Sequence, residues 1–201
     1  MKAERAAWRR EFAAIDPSRL VFLDESGANT AMDRTHGRAP SGVRVDGPAP
    51  HGHWKAITLT AAVRLGGVPE AACLAIDGAT DSVCFAFYVE HCLAPALRPG
   101  DIVVMDNLAC HKSAEVQRRI ASAGAEVRYL PPYSPDFNPI ERMFSKLKAW
   151  LRSAAARTVG DLIEAMGDGL RAVRPADIRG WFAHSGYPGP GSSDTLNKKP
   201  L

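Results

Sequence analysis

Apolar residues follow two periods along the chain, and the two periods separate predicted strands from predicted helices. Compact apolar runs at 20–23 and 102–105 are typical of buried strands, and each run is followed directly by an acid. Runs at 55–63 and 68–76 flank a glycine-containing turn at 65–67 and predict a β-hairpin. Three strands in succession are therefore expected to open the fold.

Helical spacing of apolar residues accounts for most of the remaining chain. Helices are predicted at about 3–14, 80–97, 112–123, 139–155 and 158–173, with a fifth strand at 126–130. The apolar face of the 80–97 helix is expected to carry Val83, Phe87 and Cys92. Residues 29–53 are rich in Gly, Pro and Arg and follow neither period, which favours a long functional loop or a weak hairpin.

The order of these elements, βββαβαβα, predicts an α/β fold. Three antiparallel strands followed by two parallel strands would form one mixed sheet flanked by helices. The order resembles that of the RNase H-like fold, in which the first and fourth strands lie side by side. We expect an N-terminal helix and linker at 1–19, an RNase H-like domain at 20–185, and a disordered tail at 186–201.

Composition is that of a soluble globular protein. The chain has 201 residues, 46% of them hydrophobic and 23% charged, which suits one compact domain and excludes a fibre or a disordered chain. Its apolar runs are far shorter than the roughly 20 residues that a membrane helix needs. The N-terminus lacks the apolar core of a signal peptide, so a cytoplasmic location is expected. The net charge of +3 is too small to indicate a polyanionic partner by itself.

The spacing of cysteines and histidines gives little sign of a metal site. The four cysteines are too far apart for a C-x-x-C motif and are interpreted as buried thiols: Cys73, Cys84, Cys92 and Cys110. His51 and His53 form a possible pair of ligands, but Gly and Pro surround them and no third ligand is near in the sequence. A loop role is the better interpretation.

Acids follow the first and fourth predicted strands and provide the main candidate chemistry. Asp24 and Asp106 would emerge at the same edge of the sheet if these strands are neighbours. Two close carboxylates repel each other and protonate unless a cation lies between them. Oxygen ligands of this kind suit Mg²⁺, with Mn²⁺ as a substitute. Either acid alone is more often a turn former than a ligand.

Glu141 is the candidate for a third acid. It also fits a helix start in which Asn138 is the N-cap, Pro139 takes the first position and Glu141 completes a capping box. The two roles are compatible, because a carboxylate fixed on the first turn of a helix is well oriented. Three acids can hold two ions about 3.5–4 Å apart, an arrangement that promotes phosphodiester displacement.

Several polar residues near these acids have competing interpretations. Asn107 and His111 follow the fourth strand and could reach a phosphate or a metal-bound water, although hydrogen bonding within the loop explains them equally well. Glu25 points to the opposite face of the strand from its acidic neighbour, which favours a structural or supporting role. Asp136 is interpreted as a turn former that could also orient a ligand.

Basic residues gather on the helix that begins near residue 139. Between 142 and 160 there are five cations and no acid. The four cations on the helix are candidates for contacts with a DNA phosphate backbone: Arg142, Lys146, Lys148 and Arg152. The alternative is a solvated face whose cations complement the negative end of the helix dipole. Arg34, Arg38 and Arg44 in the long loop could add contacts.

The spacing of the acids and the sequence around them resemble one enzyme family. Thirty-four residues separate Asp106 from Glu141, and the 129–141 segment reads Tyr-Leu-Pro-Pro-Tyr-Ser-Pro-Asp-Phe-Asn-Pro-Ile-Glu. These residues resemble the DDE/D transposases of the Tc/mariner superfamily, in its bacterial insertion-sequence branch. Further matching segments lie at 21–27, 52–55, 104–108, 111–112, 157–159 and 181–187.

The resemblance implies an activity and a set of partners. Asp24, Asp106 and Glu141 would be the catalytic residues and would hold two Mg²⁺ ions. The implied reaction is hydrolysis of the phosphodiester at the ends of a DNA element, followed by attack of the freed 3′-hydroxyl on target DNA. The implied partners are double-stranded DNA with terminal inverted repeats, a TA-containing target and a second copy of the chain. A bacterial, nucleoid-associated location is expected.

One departure from that family concerns the N-terminus. Full-length relatives carry a helix-turn-helix region there, whereas this chain begins 23 residues before Asp24. The chain is then either the downstream product of a split reading frame, with the helix-turn-helix as a partner segment, or a truncated copy that acts as a silent, DNA-binding or dimerising inhibitor. An RNase H or resolvase-like nuclease would share the metal chemistry, but the 131–139 segment and the 34-residue spacing disfavour it.

Overall fold

A five-stranded mixed sheet forms the centre of the protein in a computed structural model, which describes residues 1–47 and 50–189. The strands are β1 (Leu20–Asn29), β2 (Ala56–Arg64), β3 (Cys73–Asp77), β4 (Ile102–Met105) and β5 (Glu126–Tyr129). Their order is β3-β2-β1-β4-β5, with β1, β2 and β3 antiparallel and β1, β4 and β5 parallel. The predicted RNase H-like topology is confirmed, including the adjacent first and fourth strands.

Helices cover both faces of this sheet. They are α1 (Lys2–Phe12), α2 (Ser82–Tyr88), α3 (Ala94–Ala96), α4 (Ala114–Ser122), α5 (Ile140–Ala154), α6 (Val159–Arg171) and α7 (Pro175–His184). A π-helical turn at Val89–Leu93 joins α2 to α3. Pro95 follows this turn and has no amide hydrogen to continue the regular helical ladder. Helix α7 was not predicted, because only Ile178 and Phe182 mark its buried side.

Alternation of side chains along β1 divides the apolar interior into two cores. Leu20 and Phe22 face the core formed with α1, α5, α6 and α7. Val21 and Leu23 face the core formed with α2, the π-helical turn and α4. All four residues of β4 are buried, as predicted for a strand covered on both faces.

Two predictions about local structure are wrong in detail. Strand β3 begins at Cys73 and not at residue 68, because Pro69 precedes a short 3₁₀ turn at Glu70–Ala72. The predicted apolar face of α2 is also wrong, since Val83 is 76% exposed and Phe87 51% exposed. Phe85 and Tyr88 are buried in their place, so aromatic packing against the sheet decides the orientation of this helix.

The N-terminal helix and the residues after α7 pack together on the domain. Trp8 and Phe12 of α1 are buried in the core, so α1 belongs to the packed domain and not to a linker. Trp8 Nε1 donates to Tyr187 Oη at 2.8 Å, and Tyr187 Oη donates to the Phe137 carbonyl at 2.9 Å. The predicted tail is therefore wrong at Tyr187, which is buried. Residues 190–201 of that predicted tail lie outside the described part of the chain.

Two remaining predictions concern the cysteines and the long segment after β1. All four cysteines are unpaired thiols, as interpreted, but their exposure is intermediate, so their interpretation as buried residues is wrong. Residues 30–47 and 50–55 contain neither helix nor strand, in agreement with a loop. No helix within the described residues is both long and apolar enough to cross a membrane.

Candidate active site

Asp24 lies in the middle of β1, at the point where this strand extends beyond its neighbour β4. The sequence predicted Asp24 at the end of a strand, which is wrong, because β1 continues to Asn29 in register with β2. However, β4 pairs only with residues 20–22 of β1. Beyond that point the side of β1 that faced β4 is open, and a cleft begins there. Asp24 and Asp106 therefore line one cleft, but Asp24 reaches it from the middle of β1 and not from the end of the strand.

Asp106 follows β4 directly and contacts a buried histidine. His111 is 0% exposed, and its Nδ1 lies 2.7 Å from Asp106 Oδ1. Its Nε2 lies 3.2 Å from Glu25 Oε1. Because successive residues of a strand alternate, Glu25 points to the opposite face of β1 from Asp24, as the sequence predicted, and on that face it contacts this histidine. The imidazole therefore lies between two carboxylates, one on β1 and one directly after β4.

The charges of this bridge reinforce one another. Burial alone would lower the pKa of His111, but Asp106 and Glu25 raise it to about 10, so the ring is a cation at neutral pH. Burial acts to raise the pKa of Asp106, yet His111 and the Leu108 amide outweigh it and the pKa is lowered. Asp106 is therefore ionised and oriented before any ligand binds.

Asp24 has a different environment. The Glu25 amide donates to its Oδ1 at 2.8 Å, and Asn138 Nδ2 donates to its Oδ2 at 2.9 Å. Burial raises the pKa of Asp24 to about 7, and the negative charges of Glu141, Asp106 and Glu25 act in the same direction. Asp24 thus lies where the neighbouring side chains contribute excess negative charge.

Glu141 completes the set from the first turn of α5. The predicted capping box is absent, because Pro139 is the N-cap residue and no side chain caps this helix. Asn138 is directed to Asp24 instead. Glu141 is exposed, and within the described residues its carboxylate has no hydrogen bond or ion pair. It is therefore the one acid of the three that is free to reorient.

All three predicted acids line a single cleft of about 520 Å³. The other lining residues come from the loop after β4 and from the segment before α5: Asn107, Leu108, Leu130, Pro131, Pro132, Tyr133, Ser134, Pro135 and Asn138. Asn107 Nδ2 donates to the Leu130 carbonyl and so joins the two loops. His111 lies behind the cleft, where it contacts the carboxylates and not a ligand in the opening.

The segment before α5 is held by a residue that sequence reasoning missed. Arg5 of α1 donates to both carboxylate oxygens of Asp136, at 2.9 and 2.6 Å, and to Ser134 Oγ at 2.8 Å. Its guanidinium also lies 4.3 Å from the centre of the Phe137 ring. Asp136 is thus the acceptor of a tertiary ion pair. Because 131 positions separate the partners, no local pattern could have revealed this contact.

The four predicted DNA-contact residues differ in their availability. Lys146 Nζ lies 2.6 Å from Asp177 Oδ2, and Arg142 contacts His184, so both join α5 to α7. Lys148 and Arg152 are half-buried and have no ion pair within the described residues. Helix α5 thus offers two cations for external phosphates and commits the other two to contacts with α7.

The long loop is also held at its start. Arg157, counted among the basic residues of this region, donates to the Met32 carbonyl at 2.9 Å and to Asp33 Oδ2 at 2.8 Å. Arg34, Arg38 and Arg44 lie farther along the loop, and Arg44 pairs with Asp46 on the surface. The loop that follows β1 is therefore anchored beside α5.

Comparison with known proteins identifies the family. Residues 19–163 match the sequence profile of the DDE superfamily endonucleases, and the chain belongs to this family. The fold is that of the Mos1 mariner transposase catalytic domain, whose crystal structure superposes with a TM-score of 0.62 and 15% identity over 90% of this chain and 84% of that one. Membership of the DDE superfamily and the RNase H-like fold, both predicted from the sequence, are confirmed.

Two DNA-containing Mos1 structures are also similar. The Mos1 strand transfer complex has a TM-score of 0.68 with 17% identity, and covers 92% of this chain and 57% of that chain. The Mos1 mariner paired-end complex with Mn has a TM-score of 0.69 with 15% identity, and covers 92% and 58%. This chain thus spans less than two thirds of the Mos1 chain in those complexes. No match was found among curated protein sequences.

Proposed function

We propose that this chain is the catalytic domain of a metal-dependent DNA transposase. It would hydrolyse the phosphodiester at the ends of a DNA element and transfer the freed 3′-hydroxyl into target DNA. The observation that carries this proposal is the placement of Asp24, Asp106 and Glu141, predicted from sequence as a set, on the walls of one cleft. Membership of the DDE endonuclease family supports the reaction class.

The side chains of the cleft fit a divalent cation. The donors are carboxylate oxygens, which suit Mg²⁺ and Mn²⁺. The pKa of Asp24, raised to about 7, marks excess negative charge that a cation would relieve. Asn138 Oδ1 is buried beside it without a hydrogen-bond partner. Mos1 structures determined with Mg and with Mn support this choice of ions.

Asp24, Asp106 and Glu141 would hold the metals, and two ions when bound supply an activated attacking oxygen and a stabilised leaving oxygen. In the conformation described, no three acidic, histidine or cysteine side chains among residues 1–47 and 50–189 converge on one ion. Glu141 is exposed and unpaired, so its side chain has to turn towards the two aspartates. Glu141, on α5, is thus the acid that would move to complete the metal site.

The remaining residues of the site orient these acids. His111, held by Glu25, fixes Asp106 as an anion with one oxygen already occupied. Asn138 donates to one oxygen of Asp24 and so orients that carboxylate. Asn107 holds the loop after β4 against Leu130 at the mouth of the cleft. Each of these groups acts through a carboxylate or a loop, so they are positioning residues.

The proposed substrate is double-stranded DNA with terminal inverted repeats, and the proposed target contains TA. Lys148 and Arg152 are the first candidates for phosphate contacts, because they follow Glu141 on its side of α5 and have no internal ion pair in the described structure. Arg142 and Lys146 would contribute only if they exchanged their contacts with α7. A homodimer on DNA and an upstream helix-turn-helix segment complete the proposed assembly.

The test is Mg²⁺-dependent nicking of a duplex that carries the ends of the element. Asp106→Ala should abolish nicking while circular dichroism shows an intact fold, because the variant lacks one metal-holding carboxylate. Asp168→Ala, an exposed acid on α6, is the matched control and should keep full activity. Cleavage retained by Asp106→Ala would contradict the assignment.

One alternative function has an observation in its favour. In the conformation described, the acids, histidines and cysteines of residues 1–47 and 50–189 form no group of three that could hold a metal ion, which suits a catalytically silent chain that binds DNA or dimerises as an inhibitor. The same experiment separates the two. A chain that binds the duplex but nicks it with neither Mg²⁺ nor Mn²⁺ would be the inhibitor.

A further inference from the structure

Tyr133 is a large exposed side chain within the cleft of the three acids. It is 87% exposed, although it lies among residues that line that cleft. Leu108, on the loop after β4, is another exposed apolar side chain that lines it. Aromatic and apolar side chains beside charged groups in one cleft suit a ligand that has an apolar face as well as a charge.

The backbone of Tyr133 is in an unfavourable conformation. Its φ is +53°, in the left-handed region that non-glycine residues rarely adopt. Among the described residues only Ala155 shares this property, and Ala155 ends α5, where a left-handed residue is usual. Tyr133 ends no helix. Strain at such a position persists only when the surroundings enforce it, and it is common at binding sites.

The surroundings of Tyr133 do enforce it. Pro131, Pro132 and Pro135 restrict the backbone on both sides. The next residue, Ser134, is buried; its Oγ donates to the Pro132 carbonyl at 3.2 Å and accepts from Arg5 at 2.8 Å. The ring is thus presented from a fixed loop, where ordering it on a ligand costs little conformational entropy.

The cleft places an aromatic ring near three acids, and this combination indicates the class of ligand. We propose that Tyr133 is a stacking site for the nucleobase next to the scissile phosphate, displaced from the DNA duplex. A nucleotide combines the phosphate that the metal-holding acids would take with a flat apolar base that an aromatic ring can stack on. A base inside a duplex is already stacked on both sides, so contact requires that it leave the stack. This inference rests on the proposed function and names a part of its substrate.

The test compares two duplexes that differ only at the nucleotide beside the scissile phosphate. One duplex carries a mismatched base there, and the other an abasic residue. Binding is measured with Ca²⁺, so that affinity is read separately from cleavage. Tyr133→Ala should weaken binding of the mismatched duplex by about 5- to 150-fold, the value of one aromatic–base stack. It should leave binding of the abasic duplex unchanged.

Two further variants control for other causes. Tyr133→Phe keeps the ring and should bind both duplexes as the natural chain does. Phe87→Ala removes an exposed aromatic ring far along the chain, on α2, and should change neither affinity. Equal binding of the mismatched duplex by Tyr133→Ala and the natural chain would overturn the inference, as would equal losses on both duplexes. Failure of the natural chain to nick DNA with Mg²⁺ would count against the proposed function only, because the binding comparison does not depend on cleavage.

Discussion

The two sides of the cleft are built differently. On the sheet side, Asp24 and Asp106 are held by hydrogen bonds and ion pairs from buried groups, namely Asn138 and His111. On the helix side, Glu141 is exposed and unpaired within the described structure. Under the proposed function, Asp24 and Asp106 would be oriented before the metal binds, and the side chain of Glu141 would turn to complete the site.

The largest expected effect is on the stability of the sheet side. His111→Leu removes the buried cation between Glu25 and Asp106 and should lower the free energy of unfolding by about 3 kcal/mol, because Glu25, whose side chain is only 14% exposed, loses its partner. Urea denaturation measures this. Glu141→Gln, the matched change on the helix side, should stay within about 0.5 kcal/mol of the natural chain. Equal costs for the two variants would remove the distinction between the two sides.

The next effect concerns metal affinity. Asn138→Ala removes the donor that orients Asp24 and should weaken Mn²⁺ binding about 10- to 100-fold, a usual loss when a residue supporting a ligand is removed. Calorimetric titration gives the dissociation constant. Asn107→Ala lines the same cleft but contacts no acid, so its affinity should be nearly unchanged. An Asn138→Ala chain that binds Mn²⁺ normally would show that Asp24 needs no support.

The pH dependence of metal binding provides a third comparison. The pKa of Asp24 is raised to about 7, so below this pH a proton occupies the carboxylate and must leave when a cation binds. Affinity for Mn²⁺ should therefore fall about tenfold per unit as the pH drops below 7, and should level off above it. In Asp24→Asn the binding that remains should lose this pH dependence. A flat profile in the natural chain would place the binding proton elsewhere.

The raised pKa of Asp24 also affects the stability of the metal-free chain. A raised pKa means that the folded state favours protonated Asp24, so this stabilisation is complete below the unfolded pKa of about 4 and is lost as the pH rises through 7. Addition of Mg²⁺ at pH 8 should restore the lost stability, and thermal unfolding measures both changes.

The smallest expected effect concerns the ion pair between Arg5 and Asp136, which supports the helix side of the cleft. Arg5→Ala removes a partly exposed ion pair with Asp136 and should destabilise the fold by about 1 kcal/mol or less. Arg10→Ala, on the same helix and without an ion pair in the described structure, is the control. In a double-mutant cycle, Asp136→Asn should add little to Arg5→Ala. Strictly additive effects would show that the pair is not coupled.

Much of the fold could be predicted from the sequence because its signals are local. The four-residue apolar run of β4 and the glycine turn of the β2–β3 hairpin depend only on neighbours in the chain. The orientation of α2 could not be predicted, since Val83 and Phe87 are as apolar as the residues that are buried. Tertiary packing of Phe85 and Tyr88 against the sheet decides between them.

The candidate site was predictable in its acids and not in their supports. Spacing and family resemblance selected Asp24, Asp106 and Glu141, which one cleft now brings together. The sequence placed Asn138 in a helix cap, because the local pattern fits that role, whereas a carboxylate 114 positions away is its partner. Arg5 gave no signal at all. Contacts between distant segments depend on the fold and produce no periodic pattern in the sequence.

The contact between Trp8 and Tyr187 has a consequence for how the molecule assembles. It joins residues 179 positions apart, and the Tyr187 hydroxyl goes on to bind the Phe137 carbonyl, four residues before Glu141. Closing so long a loop is entropically costly, so such contacts are expected to form late in folding. The segment that leads into Glu141 is then fixed only as α1 and the residues after α7 dock. The cleft would therefore be among the last parts of the domain to reach its final geometry.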